Sequence, residues 1–238
     1  GAAAVCVGII VGVVTLTGVG FRLGFVVIQT AGDISNFFSN IWPISFFSFE
    51  DLRLFFSLVL IAISCIIMGA GIPTTATYII LVAVAAPALA QLGIEPLVAH
   101  FFVFYYGVLA DITPPVALAA YAASGIAKSN PFKTGNTAFR LGIAKALVPF
   151  VFVYSPSLLL ITGEFQTNQL IITLIGTLIG IALIGIAFSG YWFRPLKKYE
   201  QIIIGIGSLF FVAPGIKSMI FGLLIILPML FLQFLKKN

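Results

Sequence analysis

Gly69-Ala70-Gly71-Ile72-Pro73-Thr74-Thr75-Ala76 and Ala110-Asp111-Ile112-Thr113-Pro114-Pro115-Val116 are two polar, proline-marked interruptions inside long apolar stretches. A bilayer tolerates broken backbone only where that backbone is buried in protein or lines a cavity. Here the chain gives up helix hydrogen bonds twice, near the middle of would-be spans, and sets threonine hydroxyls and a carboxylate at those points. Secondary transporters build ion and substrate sites from discontinuous helices of this kind.

The composition around the breaks fixes the solvent. The 238 residues are 61% hydrophobic and only 8% charged, and the mean hydropathy is +1.20. A soluble domain carries about 25% charged residues. The expected fold class is therefore an all-α integral membrane protein, a polytopic helical bundle containing a helical hairpin and a discontinuous helix. Spans of about 20 apolar residues leave room for roughly six or seven hydrophobic segments. The net charge of +5 is spread over short connectors and forms no basic face, which excludes a nucleic-acid partner. Membrane lipid is the expected surroundings.

From Leu54 to Ile94 there is no Asp, Glu, Lys or Arg, and the first break lies at the centre of that stretch. The economical reading is a helical hairpin over about 52–94, either fully spanning or re-entrant. Gly93-Ile94-Glu95-Pro96 reads as a turn, since Pro96 suits a helix start. The apolar stretch 97–127 then reads as two half-helices meeting at an unwound centre. Two consecutive prolines remove two backbone donors and push the residues before them out of helical geometry.

Upstream, residues 1–30 read as one apolar segment interrupted at Arg22. Gly8, Gly12, Gly18 and Gly20 suggest close helix packing. The chain opens inside an apolar run without a charged region before it, which reads as a piece of a longer protein and not as a signal peptide. Residues 31–51 read as an interfacial connector with Trp42 at the headgroup level. Downstream, 128–145 reads as a polar connector. Spans follow at about 146–162 and 170–190, and the last apolar pair is split at Pro214-Gly215. Lys/Arg counting puts the Lys128/Lys133/Arg140/Lys145 and Arg194/Lys197/Lys198 connectors in the cytoplasm and the Glu164 loop outside. The hairpin then enters from the external side.

Asp111 is the only Asp, Glu, Lys or Arg between Pro96 and Ala127. A carboxylate inside a membrane segment is costly unless paired or hydrated, and so marks a functional site. It could also cap the half-helix that follows, and the two roles are compatible. Thr74, Thr75 and Thr113 offer hydroxyl oxygens beside freed carbonyls, the ligand type of a hard cation. Threonines in membrane helices also bond back to their own helix. Half-helix N-termini at both breaks direct partial positive charge inward, which suits an anionic substrate. Cys6 and Cys65 read as buried structural thiols, because two isolated cysteines have no metal-ligand spacing. His100 reads as a core or interfacial residue, and Phe101-Phe102-Val103-Phe104-Tyr105-Tyr106 as packing or lipid contact. The sequence shows no nucleophile–base pair, metal cluster or phosphate-binding loop, so it does not read as an enzyme.

Gly71-Ile72-Pro73-Thr74-Thr75-Ala76 followed by Pro87, then Ile112-Thr113-Pro114-Pro115-Val116-Ala117-Leu118, resembles the large permease subunit of the tripartite ATP-independent periplasmic (TRAP) transporters. Gly12-Val13-Val14-Thr15-Leu16-Thr17-Gly18 and Ala99-His100-Phe101-Phe102 support it. The finer likeness is to fused permeases of the TAXI type. It implies residues 1–162 as the second repeat of the transport domain and 163–238 as accessory C-terminal helices. It further implies a sodium-driven, elevator-type importer of an organic anion, often a carboxylate, in a prokaryotic inner membrane. An extracytoplasmic solute-binding protein would deliver the substrate. The first repeat, the missing N-terminal half of the permease, would be a further partner.

Carried over by residue, Gly69, Gly71, Thr74, Thr75, Ala110, Asp111 and Thr113 resemble a sodium site, with carbonyls of Gly69, Ala110 and Thr113 as ligands. Pro73, Thr74, Pro114 and Pro115 would face the substrate. No cofactor is implied beyond the sodium ion. Ala110 stands where many large subunits have glycine, and Asp111 has no counterpart in the plainest motif. Two other readings stay open: proton coupling through Asp111, and a non-transporting membrane scaffold whose breaks serve only packing.

Overall fold

The computed structural model describes residues 2–41, 48–160, 166–213 and 215–235. Trp42, the Glu164 end of its loop, Pro214 and the Lys236-Lys237 tail lie outside the described residues. Among those described, the chain is helical and has no strand beyond an isolated bridge between Tyr191 and Pro195. Among the described residues, five helices are long and apolar enough to cross a membrane, or up to six if a bent pair counts as one span. The chain is thus an all-α polytopic membrane protein. It forms two compact units, Gly1–Phe132 and Lys133–Asn238. That contact boundary falls upstream of the one drawn at 162/163 from sequence.

The first unit holds α1 (Ala2–Thr17), α2 (Val19–Ile41), α3 (Phe49–Gly69), α4 (Thr74–Gln91), α5 (Pro96–Ala110) and α6 (Leu118–Ala127). The break in the first segment lies at Gly18, not Arg22, with a bend of 63° between α1 and α2. Gly18 sits at φ +66, a left-handed conformation open to glycine without a Cβ penalty. Of the glycines read as packing contacts, Gly20 abuts the Ala83 carbonyl, and Gly24 joins it against Ala88. Gly8 and Gly12 have nothing within 4 Å. Residues 31–41, read as connector, continue α2. Ala31 and Ser35 are buried, one turn apart, while Asp33 and Asn36 stay exposed. That is an amphipathic helix whose polar face resembles a loop in sequence.

α3 starts with a capping box: Asp51 N–H donates to Ser48 Oγ at 3.1 Å, and Ser48 N–H donates to Asp51 Oδ2 at 3.1 Å. α3 and α4 are each long enough to cross, so the hairpin has two full arms. Its core packs Leu58, Ile61, Leu81, Val84 and Leu89 with Phe102 and Val103 of α5. Cys65 is buried in this core, whereas Cys6 is exposed on α1, contrary to the sequence reading. Within the aromatic run, Phe102 and Tyr106 are buried and Phe101 and Phe104 are exposed, dividing it between packing and lipid-facing surface.

The second unit holds most of α7 (Pro131–Gly142), then α8 (Val148–Tyr154), α9 (Thr167–Ser189), α10 (Lys198–Val212) and α11 (Ile216–Leu235). The connector 128–145 is largely helix α7, and among the described residues the span expected at 146–162 holds the end of a 3-10 turn (Ile143–Leu147), α8 and a second 3-10 turn (Pro156–Leu159). Counted together, Pro131–Tyr154 has the length and hydropathy of a span. The polar spacing that reads as a loop is again the exposed face of a helix: Lys133, Asn136 and Arg140 are exposed, and Gly135 is buried. Arg140 Nη2 donates to the Phe188 carbonyl at 2.7 Å, tying α7 to the end of α9. A core of Leu183, Ala187, Leu196, Ile204, Phe211 and Ile226 joins α9, α10 and α11. Beside it, Glu200 is 2% exposed and accepts from Arg194 Nη2 at 2.6 Å, from Lys197 N–H at 2.8 Å and from Gln233 Nε2 at 3.3 Å.

Candidate functional site

The hairpin tip and the helix break meet at their glycine and alanine ends. α3 stops at Gly69 because Gly71 turns the chain at φ +83 and Pro73 then precedes the first turn of α4. α5 stops at Ala110, one residue before Asp111. Gly69 is so close to α5 that a methyl added there would lie 3.1 Å from Ala110 Cβ and 3.5 Å from the Gly107 carbonyl oxygen. A methyl added at Gly71 would lie 3.5 Å from Val116 Cγ1. Gly69, Gly71 and Ala110, three of the expected cation-site residues, therefore gather where the two breaks touch.

The second break is a compact crossing of short hydrogen bonds. Thr113 N–H donates to the Ala110 carbonyl at 3.1 Å, and Ala117 N–H to the Thr113 carbonyl at 3.1 Å. Ala119 N–H donates to the Asp111 carbonyl at 3.1 Å. The Pro114–Pro115 peptide is cis, and Ala117, fully buried, takes a left-handed φ of 36 before α6. A left-handed alanine costs about 1–2 kcal/mol, so the surrounding bonds and packing must hold it there. Tyr121 Oη, from the first turns of α6, donates to the Pro115 carbonyl at 2.6 Å and ties the break to the helix that follows.

The expected side chains stand in three different ways. Thr113 Oγ1 donates to the Leu109 carbonyl at 2.7 Å, the bond back to its own helix that threonines commonly make. Thr74 and Thr75 are exposed in the first turn of α4 and make no side-chain hydrogen bond among the described residues. Asp111 is half-buried, and its carboxylate makes none either. Its capping contribution to α6 comes from the backbone carbonyl, not the side chain. Pro73 and Pro115 are exposed, and Pro114 is half-buried.

Sequence reasoning missed Thr77. It is 1% exposed, and its Oγ1 donates to the Ile72 carbonyl at 3.0 Å, closing the hairpin tip. Its Cγ2 would lie 3.0 Å from a methyl at Gly69 and 3.2 Å from one at Gly107. The signal was a third threonine within four positions, hidden because a threonine inside an apolar helix leaves no periodic mark.

The donor set is chemically suited to a hard monovalent cation. The Gly69, Ala110 and Thr113 carbonyls each accept one local N–H and keep a second lone pair. The Thr113 hydroxyl spends its proton on Leu109 and keeps its oxygen lone pairs. Among the described residues, no group of three or more His, Cys, Asp and Glu could hold a metal ion.

The family model described as "Tripartite ATP-independent periplasmic transporter, DctM component" matches residues 2–167. No curated protein and no solved structure matches the chain. The matched stretch contains both breaks, the hairpin and the whole of α5 and α6. The chain belongs to the DctM component family of the tripartite ATP-independent periplasmic transporters.

Proposed function

We propose that the chain is the C-terminal part of a sodium-coupled permease that imports an organic anion, with a carboxylate as the expected substrate class. The observation that carries this is the meeting of two interrupted helices at Gly69 and Ala110, with spare carbonyl lone pairs on both sides. In this reading sodium binds at the junction, orders the hairpin tip and so shapes the substrate pocket. The partial positive charge at the start of α4, beside Pro73 and Thr74, attracts the anion. An extracytoplasmic solute-binding protein delivers the substrate, and the N-terminal half of the permease supplies the opposing half-site. The host membrane is a prokaryotic inner membrane, with the Arg194–Lys198 connector on its cytoplasmic side. No chemical conversion of the substrate is involved.

Uptake by the full-length permease with its binding protein tests this. Thr113→Ala should raise the sodium concentration needed for half-maximal uptake about tenfold, the effect of roughly 1.4 kcal/mol lost at one ligand. Unchanged sodium dependence would remove the site from this junction. Asp111 supports a second reading, since its half-buried carboxylate has no hydrogen-bond partner among the described residues. If protons are the coupling ion, Asp111→Asn abolishes uptake driven by a pH gradient and a sodium gradient alone drives none.

A further inference from the structure

A cleft of about 420 Å³ opens between the α1–α2 bend and the paired helices α4 and α5, walled by Val14, Phe21, Ala83, Ala86 and Pro87. A second cavity of about 440 Å³, walled by Leu97, Phe101 and Phe104, has Pro96 and His100 in common with the first. Each volume lies within the roughly 300–1,000 Å³ range of small-molecule sites. The walls are almost wholly apolar: the Thr15 hydroxyl is spent on the Val11 carbonyl at 2.8 Å, and His100 is placed where the cavities meet. His100 Nδ1 lies 2.7 Å from Tyr78 Oη.

That pair carries an unspent donor whichever way its bridging proton sits. If the tyrosine hydroxyl donates to Nδ1, the neutral ring holds its proton on Nε2, which then points a free N–H outward. If Nδ1–H donates to the tyrosine oxygen, the tyrosine hydroxyl proton is the free one. Neither group has another hydrogen-bond partner among the described residues. The donor's depth is also fixed by the sequence. His100 is in the second turn of α5, about 6 Å from its start at Pro96. The turn before it exposes Gln91 and Glu95, polar residues that belong at a membrane surface. A hydrogen-bond donor just below the headgroups, at the mouth of an apolar cleft, matches one abundant membrane component: the ester carbonyl of a phospholipid with its acyl chain beneath.

We propose that this cleft is a phospholipid site. One acyl chain lies between the bend at Gly18 and the face of α4 around Ala83 and Ala86, and its ester carbonyl accepts a hydrogen bond from the Tyr78–His100 pair. The lipid is then a filler that seals the kinked helix pair onto the hairpin. The site is separate from the two broken stretches and does not depend on the coupling ion.

The test uses the 238-residue chain in vesicles of phosphatidylethanolamine and phosphatidylglycerol doped with a phospholipid carrying a diazirine in its acyl chain. Cross-linked peptides are mapped by mass spectrometry. Segments 14–21 and 82–90 should label above the exposed faces of α9 and α11. His100→Phe should lower their labelling about fivefold, the effect of one lost hydrogen bond. Ala86→Trp, which fills the cleft, should abolish it while leaving α9 and α11 labelling unchanged. As a measurement without substitutions, unlabelled phospholipid should compete about fivefold better than hexadecane, which lacks the ester. Cleft labelling no greater than on α9 and α11 overturns the proposal. So does equal competition by hexadecane. A cleft sealed by a second copy of the chain leaves both segments unlabelled and overturns it too.

Discussion

Replacing Thr77 by valine should loosen the hairpin tip without emptying its core. The side chain is 1% exposed, and its hydroxyl reaches back five residues to the Ile72 carbonyl in the tip at 3.0 Å. Valine keeps the methyl that packs against Gly69 and puts a second methyl in place of the hydroxyl. The net loss of such a hydrogen bond is about 1 kcal/mol, and an orphaned buried carbonyl adds about 1–3 kcal/mol. Ile72 is only half-buried, so water recovers part of that second cost. The expected penalty is about 1–2 kcal/mol, a factor of about 5–30 in the opening equilibrium.

Cys65 reports that opening. It is 1% exposed and lies one turn before Gly69 in α3, and Cys6→Ser removes the other thiol. When reclosing outpaces reaction, maleimide labelling follows the open population, so Thr77→Val should label about 5–30-fold faster. Ser64→Ala is the matched control. Ser64 lies in the same helix, but its hydroxyl only bonds back to the Leu60 carbonyl at 2.9 Å. It should change the rate by less than about twofold, since such back-bonding does not stabilise a helix. Equal rates for the two variants would show that the Thr77 hydroxyl does not hold the tip closed.

Two further expectations concern the second unit. A methyl at Gly180 would lie 2.6 Å from Val212 Cγ2, so Gly180→Ala should cost about 1–3 kcal/mol by overpacking. Val212→Ala should restore most of it, read as the midpoint of thermal unfolding by circular dichroism; no rescue would locate the strain elsewhere. Glu200→Met should destabilise by about 3–5 kcal/mol, because it leaves Arg194 largely buried without its carboxylate. The double change Arg194→Met/Glu200→Met should recover most of that loss in the same measurement, and a double variant as unstable as the single one would refute the ion-pair reasoning.

The breaks were legible because glycine and proline act through local backbone chemistry that needs no partner. The Gly71-Ile72-Pro73 group and the Pro114-Pro115 pair break helices through their own backbone limits, and both interruptions fall where the sequence places them. The helical identity of 31–41 and of 131–142 was not legible. Both are amphipathic, and a polar helix face and a polar loop have the same composition until a buried stripe gives them a period. The packing at the tip was only half legible. Gly69 and Ala110 follow from the motif, but Thr77 matters because of what α3 and α5 bring against it. The Tyr78–His100 bond joins side chains from consecutive helices across a turn, and no local pattern announces such a pair. The buried Glu200 group was equally hidden, since its partners come from the connector and from α11.

The bend at Gly18 also sets how much membrane thickness α1 and α2 can account for. α1 has 16 residues and α2 has 23, so at 1.5 Å per residue they are about 24 Å and 35 Å long. Straight and end to end they would overshoot any bilayer. With 63° between them, and α1 upright, α2 advances only about 16 Å along the membrane normal. The pair then totals about 40 Å, close to the full thickness of a bilayer with its headgroups. The excess length of α2 is turned sideways, toward the membrane plane. The kink thereby turns α2 into an oblique strut, and carries the exposed Asp33 and Asn36 of α2 toward the headgroups.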